Sequence, residues 1–172
     1  MFMTPTNLCL TLQNLSAEQC AEVCSNIKNR FRSIIITIPY LKLLFTELSI
    51  EHCTALCKSL RYEVPVIIKT PEELKIILTE LPIEKCIALE KCHLQTIIKT
   101  PADLSCVLWN LSEKKSALVC TSIKDHLPVI IKTESDLNHL SCGKNLKTAI
   151  LNSILITLLE SSIHERKRKE NN

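Results

Sequence analysis

Apolar residues in this chain recur three and four positions apart over short stretches, and the pattern then stops and begins again. Leu41, Leu44, Phe45 and Leu48 form one such set, Leu74, Ile77, Leu78 and Leu81 a second, and Leu104, Val107, Leu108 and Leu111 a third. That spacing gathers large side chains onto one face of a helix. A further set follows close behind: Cys20, Val23, Cys24 and Ile27, then Cys53, Leu56, Cys57 and Leu60, and later Val119, Cys120 and Ile123. The pattern predicts pairs of amphipathic helices, neither of which can bury its apolar face alone.

The helix starts are marked by chemistry. Threonines stand at Thr4, Thr37, Thr70, Thr100 and Thr133, separated by 33, 33, 30 and 33 residues, and each has a leucine four residues on. Thr70 suits an N-cap, Pro71 takes the first helical position where its missing N–H costs nothing, and Glu73 completes a capping box. Thr100 with Asp103 and Thr133 with Asp136 repeat the device with a shorter acid at the positive end of the helix dipole. Ser16 with Gln19 predicts the start of a second helix, and Ser49, Pro82 and Ser112 mark the same boundary further on. Before three of the threonines stands an isoleucine pair and a lysine: Ile67-Ile68-Lys69, Ile97-Ile98-Lys99 and Ile130-Ile131-Lys132, with Ile34-Ile35-Ile36 in the fourth place. Pro65 and Pro128 interrupt the chain just ahead, so the connector is either a short turn of helix or a short β-branched strand.

A period near 33 residues predicts an all-α fold, an α-solenoid of about four two-helix repeats closed by a C-terminal capping helix. The copies run 4–36, 37–69, 70–99 and 100–132, with a partial copy and the capping helix over 133–163, all in one helical-repeat domain. The third copy is shorter because Cys86 lies 11 residues before Ile97 where Cys53 lies 14 before Ile67, which puts the deletion at the end of its second helix. Gly143 falls where a helix C-cap is expected. Lys144 to about Ile163 departs from the repeat, as terminal copies do, and the basic tail at 164–172 is expected to fray.

Composition sharpens this picture. One glycine among 172 residues argues against sandwiches, barrels and phosphate-cradling loops, which need many residues at positive φ. A formal net charge of +3 is mild for a dedicated nucleic-acid binder. Ten cysteines without a CxxC motif, and no signal-peptide pattern at Met1–Thr11, predict free thiols in a reducing, cytoplasmic compartment. The most apolar stretch, Ala149–Leu159, is broken by Asn152, Ser153 and Thr157 and is too short to span a bilayer. Met1 stands so close to Thr4 that no separate catalytic domain is expected ahead of the array.

Among known arrays, ankyrin repeats need glycine-rich turns, tetratricopeptide repeats need recurring aromatic residues, and leucine-rich repeats need an asparagine ladder, none of which this chain supplies. The recurring Thr-Pro-x-x-Leu, Leu-Ser-x-Glu-x-Cys-x-x-x-Cys and Pro-x-Ile-Ile-Lys instead resemble the degenerate helical repeats of effector proteins that intracellular bacteria deliver through Dot/Icm-type type IV secretion systems. The resemblance covers roughly Thr4 to Leu140. Glu160, Glu165 and Glu170 are loosely similar to the acidic translocation signal of such effectors. The resemblance implies translocation into a host cell and binding of a host protein, and names no activity.

No cluster suited to catalysis stands out, and neither cofactor nor metal is expected. Cys20/Cys24 and Cys53/Cys57 lie at i, i+4, a chelating geometry, but they fall on core positions where cysteine packs as a small hydrophobe. Later copies replace Cys57 by Glu90 and Cys53 by Ser116. Cys86 with Cys92 and His93, and His139 with Cys142, lack a third partner. Lys69, Lys99 and Lys132 occupy equivalent places and are candidates for a recognition stripe facing an acidic partner, although Glu72, Glu73, Asp103 and Asp136 offset their charge. Trp109 is a candidate interface anchor that follows the core position Leu108, so partial burial between helices is the competing reading. Arg166–Lys169 resembles a minimal nuclear-localisation patch and equally suits a solvated helix end. The leading expectation is a protein–protein interaction scaffold; a nucleic-acid-binding helical array is the alternative.

Overall fold

In the computed structural model, each recurring threonine opens a helix. The structure describes residues 4–89, 92–140 and 142–170, and among them there is helix but no strand. The first helices of the copies are α1 (Pro5–Gln13), α4 (Ile38–Glu47), α7 (Pro71–Glu80), α9 (Pro101–Leu108) and α12 (Glu134–Asn138). The second helices are α2 (Ala17–Ile27), α5 (Ile50–Ser59), α8 (Ile83–Leu89) and α10 (Glu113–Ser122). The connectors hold one or two turns: a 3₁₀ turn over Lys28–Arg30 and α3 (Phe31–Ile34), α6 (Val64–Ile67), a 3₁₀ turn over Leu94–Thr96, and a 3₁₀ turn over Lys124–His126 with α11 (Leu127–Ile130). The last helix is α13 (Lys144–Glu170).

The predicted caps form where the right side chains are present. Thr70, Thr100 and Thr133 each accept the N–H of the acid three residues on, and that acid reaches back to the backbone of its threonine. Ser16 and Gln19 form the same reciprocal box at α2, while Ser49 and Ser112 each cap a second helix. Thr37 is the exception. Its side chain makes no cap bond, and Tyr40 in the third helical position offers no acid to complete a box.

Turn of helix, not strand, is the outcome for the connectors. The first isoleucine of a pair ends the turn, and the second is extended, as at Ile68 with ψ 91° and Ile131 with ψ 98°. Both isoleucines of each pair are buried at 67–68, 97–98 and 130–131, and the lysine after them is exposed. The triplet is thus two core residues and a solvated one, set by the end of a helical turn.

The chain divides into two compact units, Met1–Ile97 and Ile98–Asn172. The division falls at the isoleucine pair that follows α8, the second helix shortened by the deletion. In the first unit like packs on like: α1 lies against α4 and α4 against α7, while α2 lies against α5 and α5 against α8. Hydrogen bonds about one repeat apart in sequence join the copies there. The Gln13 amide donates to the Glu47 carbonyl at 3.2 Å, His52 Nε2 donates to the Leu15 carbonyl at 2.8 Å, and Ser59 Oγ donates to the Ala21 carbonyl at 3.2 Å. Lys42 also pairs with Glu80. Phe31, Leu44, Phe45, Leu56 and Leu60 are fully buried in this unit, each contributing about 1.5–3 kcal/mol of burial free energy.

In the second unit, α13 packs on α10, α11 and α12. It buries Leu146, Ile150 and Ile154, one side of its first three turns. Two expectations are corrected here. Gly143 caps no helix C-terminus: its carbonyl accepts the Lys147 N–H at the entry to α13, and it has no positive φ. The left-handed residue in this unit is Asn110, with φ 62°, just after α9. Helix α13 runs to Glu170, and Asn171 and Asn172 lie outside the described residues. Leu111, expected on the apolar face of α9, lies beyond that helix and is half-buried, because α9 stops at Leu108.

Candidate partner-binding surfaces

Lys69, Lys99 and Lys132 share one local geometry. Each is exposed and stands directly before an N-cap threonine. The backbone N–H of Lys69 donates to a Glu73 carboxylate oxygen at 2.6 Å, that of Lys99 to Asp103 at 3.0 Å, and that of Lys132 to Asp136 at 3.0 Å. The following threonine N–H donates to the same oxygen at 3.2, 2.9 and 2.9 Å. Two successive amides therefore clasp a carboxylate from the chain itself. The Lys132 amide and the Thr133 hydroxyl are the first causes that hold the Asp136 carboxyl below its usual range. What repeats is an occupied anion nest, and its carboxylate offsets the lysine ammonium beside it. Trp109 is the C-cap of α9 and is 52% exposed, so about half of its surface faces solvent.

The cysteines behave as packing groups. Cys53 Sγ lies 3.7 Å from the Phe45 carbonyl and 3.8 Å from that of Leu48; Cys86 Sγ repeats this at 3.8 Å from Leu78 and 3.7 Å from Leu81. A thiol at this position ties α5 to the end of α4 and α8 to the end of α7. Burial pushes Cys53 up to about 11 and Cys120 up to about 12. Cys24 is raised by sharing a hydrogen bond with Cys20 and by burial, and Cys57 by burial and its hydrogen bond with Cys92. Thiols so raised are poor nucleophiles and poor ligands at neutral pH; Cys20, by contrast, is lowered by the hydrogen bond it shares with Cys24, against the effect of burial. Among the described residues no group of three or more His, Cys, Asp or Glu side chains could hold a metal ion.

His93 does not turn to a thiol. It stacks on Tyr62 with ring centroids 4.4 Å apart, its Nδ1 is 2.8 Å from the Gln95 amide, and Arg61 lies 4.6 Å from the Tyr62 ring centroid. Next in the chain, Glu63 is buried, with Lys28 Nζ at 3.8 Å from one oxygen and no hydrogen-bond partner on the other. His139 Nδ1 donates to the Ser135 carbonyl at 2.6 Å in the second unit. Sequence reasoning missed the Tyr62–His93 stack. Its only trace is an aromatic residue in an otherwise polar turn.

A second feature escaped the sequence reading. On α13, Leu151, Leu155, Ile156 and Leu159 are 44–63% exposed. Leu151 and Leu158 also line an open groove of about 640 Å³ whose other walls include Pro128, Ile131, Leu137 and Ile154. No described helix is long and apolar enough to cross a membrane.

Comparison with known protein families, curated proteins and solved structures finds no match to this chain. Function is therefore read from the surfaces themselves.

Proposed function

We propose that this chain is a protein–protein interaction scaffold whose hairpin copies stack as an α-solenoid. The observation that supports this reading is the presence of large apolar and aromatic side chains left half-exposed on regularly packed helices. Ile50, Ile76 and Ile87 in the first unit and Trp109 in the second are 43–52% exposed. Tryptophan is among the residues that most often carry binding energy at protein interfaces, while the contacts around it chiefly exclude water. Lys69 in the first unit, and Lys99 and Lys132 in the second, supply rim charge that steers an acidic partner more than it tightens the complex. The likeness to secreted effector repeats makes a host protein in a reducing compartment the partner class to try first.

The test is capture from a eukaryotic lysate with the intact chain beside Trp109→Ala and a Lys99→Ala/Lys132→Ala pair. The expected result is a defined host protein retained by the native chain and weakened about tenfold or more by Trp109→Ala, with the lysine pair changing mainly the salt dependence. Capture of nothing above background from several cell types removes the scaffold reading. Retention on heparin at moderate salt, lost with the lysine pair, transfers the function to the nucleic-acid alternative.

A further inference from the structure

We infer that α13 is a membrane-surface helix: its exposed apolar face and the basic residues that follow it dock onto an anionic lipid bilayer without crossing it. The inference goes beyond the scaffold reading and does not depend on it.

Three observations carry it. First, α13 has two apolar sides. Leu146, Ile150 and Ile154 face the body of the second unit and are buried, whereas Leu151, Leu155, Ile156 and Leu159 are 44–63% exposed. At 3.6 residues per turn the exposed set spans an arc of about 140°. A strict two-helix seam is narrower than the apolar stripe of about 100° that faces a core. An arc this wide suits a planar apolar phase better than the ridge of one partner helix. Exposed Thr148 and Asn152 lie in the same arc, which suits the polar–apolar boundary of a bilayer and not its interior.

Second, charge selects the partner. Along 144–170 the sequence carries six basic residues, Lys144, Lys147 and Arg166 to Lys169, against the acidic Glu160, Glu165 and Glu170. Pairing this helix with its own copy would bring two like-charged segments together. An anionic surface gains from each cation, about fivefold in partitioning for every Lys or Arg held near it. Arg166 and Lys169 follow Leu155 and Leu151 by about three and about five helical turns, so these two basic positions prolong the line of the apolar ones.

Third, the helix does not end where its apolar face ends. It continues unbroken to Glu170, so the four basic positions belong to the same rod. Two signals on one rod, an apolar face and a polybasic cluster, are what stable membrane attachment needs, since one alone binds marginally and reversibly.

The test is co-sedimentation of the full chain with vesicles of phosphatidylcholine alone and of phosphatidylcholine with phosphatidylserine. The expected result is a preference of about 100-fold for the anionic vesicles, strongly reduced at about 0.5 M salt. Substituting Arg166→Gln, Lys167→Gln, Arg168→Gln and Lys169→Gln together abolishes the preference. Leu155→Glu with Leu159→Glu lowers binding to both vesicles by more than about tenfold. The leucine pair alters no buried side chain, and unchanged far-ultraviolet spectra check that the helix persists in both variants. Equal partitioning onto neutral and anionic vesicles overturns the inference, as does no binding to either. A dimer seen by light scattering, dissolved by the leucine pair and without vesicle binding, overturns it in favour of a second copy.

Discussion

Helices α5 and α13 both take the place of a second helix, yet they use their apolar residues differently. Helix α5 lies between α2 and α8 and buries Cys53, Leu56 and Cys57. Helix α13 packs on one side and leaves Leu151, Leu155, Ile156 and Leu159 open to solvent. Terminal copies of helical arrays ordinarily turn a polar face outward, because an apolar one invites association. The hairpin's own chemistry therefore does not decide what is buried; the neighbour does. Where helices pack on both sides, as α2 and α8 do on α5, the face becomes core; on α13 the side turned away from α10, α11 and α12 stays open to solvent.

Truncating one leucine on each helix separates the two most strongly. Leu56→Ala on α5 removes a side chain only 1% exposed, and the cavity costs about 3 kcal/mol. Leu155→Ala on α13 removes one that is 50% exposed, and the expected change is within about 0.5 kcal/mol. Amide hydrogen exchange reads each unit separately, with a loss of protection across α2, α5 and α8 for Leu56→Ala and little change anywhere for Leu155→Ala. Equal costs at the two positions would mean that α13 is covered in solution and that the two helices do not differ.

Much of this fold is legible in the sequence because its signals are local. A threonine N-cap with an acid three residues on is satisfied within one turn, so Thr70, Thr100 and Thr133 announce their helices regardless of what packs on them. The apolar spacing of α4, α5 and α7 is likewise a property of each helix. What was not legible depends on contacts remote in sequence. The stack of Tyr62 on His93 joins the connectors of successive copies, and its partners are 31 residues apart. The connector was ambiguous because Val66-Ile67-Ile68 favours a strand by propensity, while the register with the buried core selects a turn of helix. The exposed face of α13 was hidden for the same reason: buried Ile150 and exposed Leu155 are equally apolar, and only the geometry of α10, α11 and α12 decides which side is covered.

Caps show a milder form of the same contrast, where like residues serve helices of different consequence. Thr70→Ala removes the box that opens α7, a ten-residue helix with Leu74, Ile77 and Leu78 buried. Its expected cost is about 1 kcal/mol. Thr37→Ala, at an N-cap whose side chain makes no bond, costs well below that. Thermal or denaturant melts of the two variants check the order, and a Thr37→Ala loss equal to that of Thr70→Ala would show that the cap bond contributes little here.

Least change is expected at Asp136, on the five-residue helix α12, which buries none of its residues. The Lys132 amide and then the Thr133 hydroxyl hold this carboxyl below its usual range. A carboxylate depressed in the folded state contributes stability that is fully present above its unfolded pKa, near 3.9 for an ordinary aspartate. That contribution is lost as the pH falls through the lower folded value. Side-chain carboxyl NMR should therefore place the Asp136 midpoint below that of an unfolded aspartate. Thr133→Ala should move it upward only in part, because the backbone donation from Lys132 remains. A midpoint at the ordinary value in the native chain would show that the amides at 132 and 133 do not hold the carboxylate in solution. The nest would then be open, and Lys132 would stand beside a vacant anion site, not an occupied one.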